Sequence, residues 1–121
     1  MKRRFAFAGA VTAGLVMLSG GVAWAGVGAN IQTTDSTPGG RAVFVPDGDK
    51  VVVCDQQADG YPVVAYLRRH DGPLWSTTRV GGVTNCAQRV VDIPEGEKLT
   101  LTVCLVINGK DSFCRTANVV A

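Results

Sequence analysis

The most regular pattern in the chain is an alternation of apolar and polar residues running from Lys98 towards the C-terminus. Leu99, Leu101, Val103, Leu105 and Ile107 share one parity, and Lys98, Thr100, Thr102, Cys104 and Val106 the other. A period of two marks a strand with one buried face. Asn108-Gly109-Lys110 interrupts it; then Phe113, Arg115, Ala117 and Val119 alternate with Ser112, Cys114, Thr116 and Asn118. A three-residue loop, with positive φ at Gly109 or a neighbour, makes this a hairpin. Its register sets Cys104 opposite Cys114, Leu105 opposite Phe113, Leu101 opposite Ala117 and Leu99 opposite Val119. On the other face Thr102 meets Thr116 and Thr100 meets Asn118. A slip of one residue would set each apolar face against a polar one.

Upstream, short runs rich in Val, Thr and aromatic residues are separated by turn signals. Residues 41–45 (RAVFV) end at Pro46-Asp47-Gly48-Asp49, and KVVVCD (Lys50–Asp55) ends at Ala58-Asp59-Gly60. Residues 61–68 (YPVVAYLR) end at His70-Asp71-Gly72-Pro73. LWSTTRV (Leu74–Val80) ends at Gly81-Gly82, and residues 87–93 end at Pro94-Glu95-Gly96. No helical periodicity spans ten residues past position 25. With no room for crossovers, the sheets are expected to be antiparallel. The pattern predicts an all-β fold: a small seven-stranded immunoglobulin-like β-sandwich, with a small β-barrel as second choice.

The first residues read differently. Met1-Lys2-Arg3-Arg4 is a positive n-region, residues 5–18 (FAFAGAVTAGLVML) an uncharged h-region, and Ala23-Trp24-Ala25 an A-x-A cleavage site. Residues 1–25 are therefore expected to be a signal peptide, and the protein to be secreted and extracellular. Residues 26–40 (GVGANIQTTDSTPGG) hold too few apolar groups to offset chain ordering and are expected to form a flexible arm, with the folded domain at 41–121.

Cleavage changes the charge. Of 12 Lys and Arg, Lys2, Arg3 and Arg4 leave with the signal, so nine basic residues face ten acidic ones, a net of −1. That removes the basis for a nucleic-acid or anionic-membrane partner, since phosphate affinity needs clustered positive charge.

The four cysteines, Cys54, Cys86, Cys104 and Cys114, are an even count in an exported chain, which points to two disulfides. The hairpin register pairs Cys104 with Cys114, and Cys54–Cys86 follows by elimination. Zinc is set aside: there is no C-x-x-C, and His70 stands far from any cysteine pair. In a folded unit of about 80 residues a core alone is marginal, and bridges of these spans contribute roughly 3 and 4 kcal/mol in the chain-entropy model.

The segment Ile93-Pro94-Glu95-Gly96-Glu97-Lys98-Leu99-Thr100-Leu101-Thr102-Val103 resembles the corner and sixth strand of fibronectin-type-III and immunoglobulin-like domains, and the Asn108-Gly109 hairpin their last two strands. The corner tyrosine of those domains is absent here. The whole chain, with its Ala/Gly/Val/Arg/Asp bias and the sequence VVVCDQQADG, resembles small secreted actinobacterial disulfide-containing proteins. That likeness implies a lineage and a fold but no activity.

Candidate chemistry is sparse. Asp55-Gln56-Gln57-Ala58-Asp59-Gly60 mimics the start of a calcium loop, but position twelve is Tyr66 where a bidentate Glu is needed. Asp59-Gly60 reads more simply as a hairpin turn. Arg68-Arg69-His70-Asp71 is a charged loop tip; no nucleophile setting accompanies His70, and paired cysteines supply no thiolate. Trp75, Tyr61 and Tyr66 suit either the core or a contact patch. We therefore expect no enzyme, cofactor or metal, but a monomeric secreted module binding an extracellular protein or polymer, for instance as inhibitor of a secreted hydrolase. Its candidate loops are Arg68, Arg69, His70, Asp71 and Asn108, Gly109, Lys110. The alternatives are a carrier of a small apolar molecule, by fold analogy with neocarzinostatin-type apoproteins, and a structural role in the cell envelope.

Overall fold

The computed structural model describes residues 26–82 and 84–121; the expected signal peptide, residues 1–25, lies outside the described residues. The strands are β1 (Ala29–Gln32), β2 (Gly40–Val45), β3 (Lys50–Asp55), β4 (Val63–Arg69), β5 (Leu74–Val80), β6 (Cys86–Val90), β7 (Lys98–Ile107) and β8 (Lys110–Val120). They form two four-stranded antiparallel sheets, in the orders β1-β2-β3-β6 and β8-β7-β4-β5.

Alternation decides which residues meet between the sheets. Ala42, Phe44, Val51 and Val53 from one sheet pack with Val63, Ala65, Leu67, Leu99, Leu101, Val103, Leu105 and Val119 from the other. Phe44, Leu67, Leu99 and Leu101 are among the largest side chains sealed from water. Gly40 permits close approach at one end, because a Cβ there would lie 2.6 Å from Cγ1 of Val63. The turn after β2 is anchored from the side: the backbone carbonyl of Asp49 accepts from the Val91 amide (2.9 Å), and its buried carboxylate from the Ile93 amide (3.2 Å). This diverts the chain after Val90 and seats Ile93 in the core.

The disulfides join Cys54 to Cys86 and Cys104 to Cys114, as the register argument expected, with Cα–Cα distances of 4.0 and 4.2 Å. Cys54 and Cys86 are direct partners across β3 and β6. Cys104 lies with Val64, Val106 and Tyr66 in a second, smaller cluster on the outer face of its sheet.

Three sequence expectations need correction. The segment 26–40 is not a free arm throughout. Ala29 and Ile31 pack on the core, and β1 pairs with β2 from Ala29↔Phe44 to Gln32↔Arg41, which makes eight strands among the described residues where seven were expected. Its support is tertiary: Val27 pairs with Val120, Arg115 Nε donates to the Gln32 carbonyl (2.9 Å), and the Thr34 amide to the Phe113 carbonyl (2.9 Å). Second, the hairpin loop has two residues, not three: Ile107 pairs with Lys110, and Asn108 (φ 52°) and Gly109 (φ 77°) are both left-handed, as a type I′ turn requires. Third, Leu105 therefore faces Ser112 rather than Phe113. A β-bulge follows, and the expected register resumes at Arg115↔Val103. Strand limits also differ: Pro62, which lacks an N–H, stays outside β4, and β6 stops at Val90.

Candidate functional site

Strand direction sorts the loops between two ends. Val63, Val80, Gly40, Asp55, Cys86 and Ile107 lie at one end of the sheets, so the segments 33–39, 56–62, 81–82, 84–85 and 108–109 cluster there. The 68–71 segment lies at the other, where the His70 amide donates to the Lys98 carbonyl (3.1 Å). The two expected binding loops are thus separated by the length of β7, about 30 Å, and the structure does not bring them together.

At the 68–71 end Arg69 is not a free cation. Its guanidinium lies 5.1 Å from the Trp75 ring centroid, and Nε is 3.5 Å from Glu97. Trp75 packs against the core, whereas Arg68, His70 and Asp71 are exposed.

The other end is more built. The Gln56 amide donates to the Gly39 carbonyl (2.8 Å) and Gln56 Nε2 to the Pro38 carbonyl (3.2 Å), which ties two loops together. Asp35 accepts from the Gly39 amide (3.0 Å), and Thr33, itself buried, accepts from the Gly40 amide (3.1 Å). Between the 55–62 stretch and Gly81-Gly82 lies a cleft of about 330 Å³, lined by Asp55, Gln57, Ala58, Gly60, Pro62, Gly81 and Gly82. Asp55 is only 2% exposed. Burial pushes its carboxyl above the usual range, an effect the Gln57 amide opposes, Asp59 reinforces and a backbone hydrogen bond from Gly82 again opposes. The calcium-like sequence is used locally: Asp55 Oδ1 accepts from the Gln57 amide (3.2 Å) and Asp59 Oδ1 from the Tyr61 amide (2.9 Å). Among the described residues no three His, Cys, Asp or Glu side chains are grouped to hold an ion.

Phe113 carries the feature that the alternation concealed. Phe113 and Cys114 share the place opposite Cys104, and Phe113 takes φ 53°, left-handed for a bulky L-residue, with its side chain 48% exposed. Its conformation is fixed on three sides: by the Cys104–Cys114 bridge, by the Thr34 amide and by the hairpin turn. Tyr61, beside the cleft residues Gly60 and Pro62, is 38% exposed. On the adjoining sheet face Tyr66 donates to Asp111 (2.7 Å), which holds its phenol above the usual value.

Comparison with family models, with curated proteins and with solved structures found no match for this chain.

Proposed function

We propose that this protein is a secreted, non-enzymatic binding module with an immunoglobulin-like sandwich, acting through its 108–109 end on an extracellular protein or polymer. The observation that carries the reading is Phe113. A left-handed non-glycine residue costs on the order of 1–3 kcal/mol, yet here the neighbouring bonds hold an aromatic side chain half in solvent. Rigid, exposed aromatics are what binding surfaces use, because little entropy is lost on contact. The cleft beside Tyr61 supplies a recess at the same end.

Strand order supports the fold assignment. With β1 set aside, β2-β3-β6 and β5-β4-β7-β8 run as A-B-E and C′-C-F-G of an immunoglobulin-type domain, the fourth strand joining the C-F-G sheet as C′ does. The two disulfides are compatible with an extracellular location. Phe44, Leu67, Leu99 and Leu101 are sealed between the sheets rather than lining an open apolar cleft, which favours a binder, such as a hydrolase inhibitor, over a carrier.

The test compares immobilised wild-type domain with the Phe113→Gly and His70→Ala variants in host culture fluid and cell-wall polymer. Glycine takes φ 53° without strain, so Phe113→Gly should fold normally but lose the captured partner, while His70→Ala retains it. Undiminished capture by Phe113→Gly would place the contact elsewhere. No capture by wild type would remove the binding reading.

A further inference from the structure

On one side the two sheets are joined, through Val27–Val120, Arg115–Gln32 and Thr34–Phe113. The opposite side is bounded by β5 and β6, and among the described residues no hydrogen bond links these strands. β5 pairs with β4 only, so its outer backbone edge is unpaired. An edge of this kind is a template for another strand unless it is guarded. Leu74–Val80 contains no Pro or Lys; its guards are the exposed Arg79 and the irregularity at Trp75, where Leu67 faces Ser76 but Arg68 faces Leu74.

The inward face of β5 carries a second anomaly. Ser76 lies opposite Leu67 and Thr78 opposite Ala65, so both point between the sheets. They are 9% and 6% exposed, and neither Ser76 Oγ nor Thr78 Oγ1 has a hydrogen-bond partner. A buried hydroxyl without a partner is unfavourable, and in native proteins such groups are usually paired.

We propose that the edge of β5 pairs antiparallel with β5 of a second copy of this chain, about a two-fold axis at Thr77. Faces match only when the register places residues of equal parity opposite each other. Of the registers centred on Ser76, Thr77 or Thr78, only the Thr77-centred one sets Ser76 opposite Thr78 of the second copy, and does so twice. Directly opposed Cβ atoms stand about 4.5–5.5 Å apart, within reach for hydroxyl pairing; Thr102 and Thr116 already make such a pair inside this sheet at 3.1 Å. A register centred on Ser76 would leave Thr78 with no hydroxyl opposite it, and one centred on Thr78 would set Ser76 against Val80. The Thr77-centred pairing sets Trp75 against Arg79 of the second copy and puts no like charges opposite one another. The resulting eight-stranded sheet leaves the 108–109 end of each copy free, and departs from the monomer expected from sequence.

Sedimentation equilibrium of the oxidised protein from micromolar to millimolar concentration should show reversible monomer–dimer exchange. Thr77→Lys places two ammonium groups together on the axis and should weaken association at least tenfold without lowering the melting temperature of dilute, monomeric protein. Thr78→Val, which keeps shape but removes the hydroxyl, should weaken it less. A monomer at every concentration overturns the proposal. So does a dimer indifferent to Thr77→Lys but broken by Gln88→Lys on β6, because the contact would then lie on the other edge.

Discussion

Leu101→Ala tests the packing of the two sheets most directly. Leu101 is 0% exposed, between Leu67 on β4 and Ala117 on β8. Removing three carbons costs about 2.4 kcal/mol at about 0.8 per buried methylene. The neighbours belong to strands fixed on both sides, so they collapse incompletely; a residual void of about 50 Å³ adds about 1.2 kcal/mol. The expected loss is about 3.5 kcal/mol, a large share of the 5–15 kcal/mol typical of a domain. Thr102→Ala, one residue on, removes a half-buried methyl and the hydroxyl contact with Thr116, at a cost of about 0.5–1 kcal/mol. Urea melts with both disulfides oxidised should lower the midpoint by roughly 2–3 M for Leu101→Ala and by under 1 M for Thr102→Ala, with unchanged slope. Equal shifts would refute the assignment of faces, and with it the shared core.

Asp55→Asn addresses the cleft. Burial raises the carboxyl's folded pKa above its unfolded value, so its favourable contribution is complete below the unfolded value and is lost as pH rises through the folded one. The wild type should therefore lose stability relative to Asp55→Asn across that rise; parallel pH profiles would show that Asp55 is not desolvated. Intact mass of exported protein should match residues 26–121 less four hydrogens; another start, or free thiols, contradicts the processing and pairing.

The hairpin was legible because leucine on every second position admits one face, and that face carries the cysteines to the other side. Its tip was misread by one residue. Asn108-Gly109 is the strongest two-residue turn signal in the chain, and a two-residue loop combined with a Cys104–Cys114 bridge demands one extra residue in β8. Phe113 is that residue, so the bulge follows from two local facts that have to be considered together. β1 left no comparable trace. Val27, Ala29 and Ile31 alternate over only three positions in a Gly-rich, polar segment, and what orders the strand is the Gln32 carbonyl bonded to Arg115 and a pairing with β2, both distant in sequence. The cleft was hidden for a related reason. Asp55, Gly60 and Gly82 meet only because β3, β4 and β5 run in alternating directions. The same threading puts 68–71 and 108–110 at opposite ends.

The seam between the first and last strands has a kinetic meaning. Val27 and Val120 exchange hydrogen bonds of 2.9 Å in both directions, although nearly the whole described chain separates them. Loops of that length close late, because chain entropy opposes them until other contacts have formed. Until the final residues arrive, β1 has no partner beyond β2, and both sheets expose edges that the finished molecule covers. Chains caught in that interval are the ones most open to proteolysis and to pairing with their neighbours.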